Sequence, residues 1–149
     1  MTRRHLWVPV ILVLFGVTMT FAQETDKAFH ALSAWTNQRG STLYIQGIDP
    51  SGLVSGYYVN RAQGYGCQDT PYMATGWVYG TAITFSVKWE NAAESCHSMT
   101  SWTGFYAQGV ITTRWQLIRD GVTNKDHMIQ GEDIFRPVQQ KQSKSPRGE

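Results

Sequence analysis

Apolar side chains recur at every second position through run after run of this chain, and each run is short. Alternation with a period of two puts successive side chains on opposite faces of a strand. Such runs follow one another from about residue 33 to 137, separated by turn-forming clusters. No internal repeat and no helix longer than a turn or two is legible among them. The pattern predicts an all-β sandwich or barrel of seven or eight strands.

The predicted strands cover residues 41–48, 53–60, 74–79, 82–89, 99–108, 111–119 and 127–135, after a first run from 33. Asp49-Pro50-Ser51-Gly52 is a turn signal that folds the second and third runs into a hairpin. Residues 61–72 and 90–97 read as loops, each carrying one cysteine, and Pro137 stops the last strand because it cannot donate to a ladder.

Parity then decides which face is inside. Ile83, Phe85, Val87 and Trp89 alternate with Thr84, Ser86 and Lys88, so the lysine-bearing set faces out. By the same test Ile111, Thr113, Trp115 and Leu117 point inward, as do Ile129, Gly131, Asp133 and Phe135. Tyr58 and Asn60 share a face with Val54 and Gly56, and Ser98 and Thr100 share one with Trp102. Trp77 has outward parity and is expected at a surface or interface, away from any ligand. A buried carboxylate is costly unless it is paired or hydrogen-bonded, and backbone amides or an arginine could satisfy Asp133 alone. Several inward polar groups beside three inward tryptophans describe instead a cavity for a small, neutral, hydrogen-bonding ligand.

The first 22 residues have the form of a secretion signal. Arg3 and Arg4 precede an apolar run over 6–17, and Thr20-Phe21-Ala22 offers a small-x-small cleavage site. The alternative is a membrane anchor, but the run is shorter than the roughly 20 residues a spanning helix needs. Cleavage near Ala22 would deliver a secreted or periplasmic chain. It would also remove both signal arginines and bring the formal charge from +2 to neutral. A neutral chain gives no electrostatic case for nucleic acid or an anionic membrane. Residues 23–32 then form a lead-in, 33–138 one barrel domain, and 139–149 a polar, disordered tail. Two cysteines in an exported domain, Cys67 and Cys96, read first as a disulfide, with two buried thiols as the alternative. They are too few to build a zinc site with His97.

Five segments in order resemble the avidin and streptavidin family: Trp35-Thr36-Asn37-Gln38-Arg39-Gly40-Ser41, Ser55-Gly56-Tyr57-Tyr58, Phe85-Ser86-Val87-Lys88-Trp89, Ser101-Trp102-Thr103-Gly104 and Gly131-Glu132-Asp133-Ile134-Phe135. The stretch Asn60-Arg61-Ala62-Gln63-Gly64 with Cys67 is most similar to the dimeric bacterial branch that includes rhizavidin. The resemblance implies an eight-stranded antiparallel up-and-down β-barrel that binds biotin, with no cofactor, no metal and no catalysis. It implies that Asn37, Ser41 and Tyr58 donate to the ureido oxygen, and that Asp133 and Asn60 accept from the ureido N–H groups. Thr100 would meet the thioether sulfur and Ser98 the valerate carboxylate, while Trp89, Trp102, Trp115 and Leu117 box the bicyclic ring.

Tetrameric members lend a tryptophan to the neighbouring site from eight residues before the last-strand aspartate. That position here is Lys125, so the resemblance favours a homodimer. Tyr65, between two glycines, is the expected replacement lid, beside loops that a Cys67–Cys96 bridge would restrain. A lipocalin-like carrier of another small ligand would keep the barrel but predicts few inward polar groups. A hydrolase reading lacks a nucleophile elbow, a metal-binding histidine pair or paired carboxylates. A structural coat or adhesion module leaves the inward tryptophans unexplained.

Overall fold

The structure is a computed structural model that describes residues 28–121 and 127–139. The expected signal segment, residues 23–27 of the lead-in, Lys125 and the tail from residue 140 lie outside the described residues.

The eight strands are β1 (Ser33–Asn37), β2 (Thr42–Ile48), β3 (Leu53–Val59), β4 (Pro71–Tyr79), β5 (Ala82–Glu90), β6 (Ser95–Ala107), β7 (Val110–Arg119) and β8 (Met128–Pro137). Each pairs antiparallel with its chain neighbour, and β8 pairs with β1 to close the barrel. Eight strands leave an interior wide enough for side chains and one small ligand.

Two strands start three or more residues earlier than their alternation predicts. β4 begins at Pro71, where a proline is tolerated because the first residue of a strand need not donate. β6 begins at Ser95, because a register shift between Lys88 and Glu90 lets Glu90 pair with Ser95. Asn91 closes that hairpin, its Oδ1 accepting from the backbone N–H groups of Ala93 at 2.8 Å and Glu94 at 2.9 Å. The expected turn at 49–52 forms with Asp49 Oδ1 accepting from Ser51 N and Leu53 N, and Gly52 supplies the positive φ of 86°.

The interior has a dry half and a lined half. In the dry half Trp35 and Tyr106 meet edge to face at 6.1 Å, with Phe29 against both. In the middle, Phe85 stacks on Trp102 with ring centroids 4.7 Å apart, and Tyr58 and Phe135 pack around them. Trp77 stands on the outer face of β4, 54% exposed, as its parity requires.

Candidate ligand-binding site

The lined half of the barrel encloses a cavity of about 170 Å³. All eleven predicted site residues face it, and so does Tyr65. They come from six strands and two loops, which the closed barrel brings to one interior.

The β1–β2 turn builds one wall. Asn37 Oδ1 accepts from the backbone N–H groups of Arg39 at 3.0 Å and Ser41 at 2.9 Å, which fixes the amide's orientation. Its Nδ2 is thereby turned inward and donates to Tyr58 Oη at 3.3 Å. Burial, reinforced by the nearby Asp133 charge, raises the Tyr58 phenol well above its ordinary pKa. It therefore stays protonated and able to donate.

Asn60 and Ser41 are linked. Ser41 Oγ donates to Asn60 Oδ1 at 3.3 Å while accepting from Arg61 N at 2.8 Å. Asn60 Oδ1 also accepts from Ala62 N at 3.0 Å, and Asn60 Nδ2 donates to Gly66 O at 2.9 Å. Both lone pairs of that amide oxygen are thus in use. A ligand N–H could take one of them only if the Ser41 hydroxyl rotated away. The same rotation would aim the Ser41 hydrogen at a ligand oxygen.

Asp133 is the cavity's carboxylate, 3% exposed. Oδ2 accepts from Trp102 Nε1 at 2.9 Å, and Oδ1 accepts from Gln38 Nε2 at 3.3 Å with Arg39 Nε 3.9 Å away. Burial raises its pKa, and the bonds from Trp102 and Asn37 with the Arg39 charge and Gln38 pull the other way. The carboxylate is held in place from both sides yet keeps acceptor capacity on the cavity side.

The aromatic wall is seated just as specifically. Trp89 Nε1 donates to Thr100 Oγ1 at 2.7 Å, which leaves the threonine hydrogen free to point elsewhere. Trp115 lies flat over Gly131: a Cβ there would fall 2.7 Å from its Cε2 and 3.1 Å from its Nε1. The Arg39 guanidinium covers the Trp115 ring at 5.7 Å, and Tyr65 meets it edge-on at 6.4 Å. Trp115 Nε1 is buried with no hydrogen-bond partner among the described residues.

The loop between β3 and β4 covers the mouth. Asn60 and Gln68 form a bridge, Gln68 Nε2 donates to Ala62 O at 2.7 Å, and Cys67 is bonded to Cys96. Glu94 lies beside the two sulfurs, but the disulfide removes them as metal ligands.

Parity reasoning missed Arg39, Gln38 and Arg119. Arg39 and Gln38 sit in a turn, where alternation carries no information. Arg119 could have been found, since it shares the inward parity of Trp115 and Leu117 and lines the cavity.

The Avidin family model matches residues 25–138. Afifavidin of Afifella pfennigii is 42% identical over 119 residues, covering 77% of this chain and 74% of that protein. Apo shwanavidin is 50% identical with a TM-score of 0.71, covering 74% of this chain and 98% of its own. A rhizavidin–biotin complex is 47% identical with a TM-score of 0.70, covering 79% of this chain and 100% of rhizavidin. Sequence and barrel agree over nearly all of the described residues, and the chain belongs to the avidin family.

Proposed function

We propose that this protein is a secreted, non-catalytic biotin binder that works as a homodimer. One observation carries the reading: Asn37, Ser41, Tyr58, Asn60 and Asp133 converge on a cavity whose remaining wall is Trp89, Trp102, Trp115 and Leu117. A cyclic urea has one strong acceptor between two donors. Asn37 Nδ2, the Ser41 hydroxyl and the Tyr58 hydroxyl are three donors for that oxygen. Together they draw negative charge onto it, as an oxyanion hole does in catalysis. Here the charge stabilises a bound ground state, so no bond is broken.

Polarising the oxygen makes the ureido N–H groups better donors. Asp133 takes one through a charge-assisted bond, the stronger kind. Asn60 takes the other once the Ser41 hydroxyl has rotated to the ligand. Thr100, with its hydrogen uncommitted, faces the thioether, and Ser98 stands nearer the mouth for the carboxylate. Tyr65 closes over the ring from the Trp115 side. The rhizavidin complex with biotin supports the ligand assignment. Lys125, in place of a tryptophan that a neighbour would share, supports the dimer.

Calorimetric titration of the oxidised protein with biotin tests the reading. One biotin per chain is expected. No heat and no change in tryptophan fluorescence would leave the barrel with another ligand.

A further inference from the structure

Among the described residues, three charged side chains line the cavity: Asp133, Arg39 and Arg119. Arg39 and Asp133 face one another at 3.9 Å, and Arg39 also lies on the Trp115 ring. Those two charges offset each other. The guanidinium of Arg119 makes no ion pair or hydrogen bond among the described residues, so among them its positive charge at the cavity rim has no partner.

The β6–β7 register says where that charge sits along the cavity. Trp102 faces Trp115, Thr100 faces Leu117, and Ser98 faces Arg119. Directly opposed residues of an antiparallel pair share a face, with Cβ atoms about 4.5–5.5 Å apart. Arg119 therefore stands across from Ser98, about 7 Å outward along the strands from the Thr100–Leu117 pair. A ligand lying between the tryptophans with its polar ring toward Asp133 directs its other end to this rung.

We propose that Arg119 is a specificity-determining residue that reads a carboxylate at the outer end of the ligand, so that the site prefers the free acid of biotin to neutral biotin amides. This rests on the biotin reading above. A guanidinium offers a planar fork of donors that matches a carboxylate, and Ser98 adds a hydroxyl beside it. Arg119 is exposed, so solvent screening keeps the effect modest and dependent on salt. Arg119 also borders an outer groove with Glu90 and Asp120, but it forms no ion pair with either. A role there would be structural and blind to the ligand's charge.

The test compares biotin with biotin primary amide, by affinity and dissociation rate, at low and at physiological ionic strength. It uses the oxidised wild-type protein, Arg119→Gln and Arg119→Lys. Wild type should favour the acid, and Arg119→Gln should cut the acid-to-amide preference by about three- to tenfold. Arg119→Lys should keep most of the preference, and added salt should shrink it in wild type alone of the wild-type and Gln pair. An unchanged acid-to-amide ratio in Arg119→Gln, with both ligands still bound, overturns the proposal and leaves biotin binding standing. Failure of wild type to bind either ligand overturns the biotin reading, and this one with it.

Discussion

Gly131→Ala is the smallest change that should disturb the binding wall without touching a polar contact. The added methyl would lie 2.7 Å from Trp115 Cε2 and nearer still to Cζ2, where carbon–carbon contact is comfortable only at about 3.5–4.0 Å. The indole must therefore move by roughly 1 Å or more, since the other party is strand backbone held in the β7–β8 ladder. Arg39 and Tyr65 pack against the ring, so the easiest direction is into the cavity. Overpacking of this kind costs about 1–3 kcal/mol of stability. In a domain of this size that corresponds to a melting point lower by roughly 3–12 °C. Loss of ring contact of similar size speeds biotin dissociation by about five- to 150-fold.

The assay is a double-mutant cycle on melting temperature and on biotin dissociation, with Gly131→Ala, Trp115→Ala and both together. If the clash is the cause, Gly131→Ala should cost little in the Trp115→Ala background, a coupling well outside the usual additivity of about 0.5 kcal/mol. Equal costs in both backgrounds would refute the reasoning, and so would a single variant that melts and binds as wild type does.

Three further outcomes are expected. Burial raises the Asp133 pKa above 3.8, and a ureido N–H needs the ionised form. Biotin affinity should therefore be flat near neutral pH and fall as pH drops through that raised value, with proton release on binding in the acid range. The empty barrel has the opposite sign: this group favours folding most below 3.8 and loses that contribution as pH rises through the raised pKa. Asp133→Asn should flatten both profiles, and a steep acid fall surviving in that variant would point to another group. Replacing Cys67 and Cys96 by serine should lower stability by about 3 kcal/mol and speed dissociation, because loop 61–70 then loses its tie to β6. An unchanged off-rate would confine the bridge to folding. Tyr65→Ala should speed biotin release several-fold while leaving the melting point of the empty protein nearly unchanged, and stopped-flow competition would show at once if it does not.

The architecture was legible because a strand has a strict period. Lys88 on one side of a run and Trp89 on the other are enough to orient β5. The same logic put Asp133 inside among tryptophans, where the structure has it buried. Turns carry no such period, so the roles of Gln38 and Arg39 around Asp133 were invisible. The seat of Trp115 was hidden for another reason. Parity marked Gly131 as inward, but only the register, in which Trp115 faces Gly131, shows that the missing side chain is what the indole occupies. The early start of β6 was also out of reach, because a shift in pairing between Lys88 and Glu90 leaves no compositional trace.

The barrel closes where its first and last strands meet, and that seam is short. On β1 only Trp35, Thr36 and Asn37 face β8, at Pro137, Arg136 and Phe135. Beyond Asn37 the seam continues as a side-chain stitch: Gln38 Nε2 donates to Glu132 O at 3.0 Å, and Gln38 Oε1 accepts from Ile134 N at 2.9 Å. Asn37 and Asp133, on opposite sides of this seam, are the residues a urea ring would bridge. A bound ligand would thus act as a clasp between the first and last strands, at the place where the cylinder would otherwise unzip. Occupancy should then be felt most in amide exchange along β1 and β8, far more than in the long β5–β7 ladders. Retaining the vitamin and keeping the barrel shut would be one and the same event.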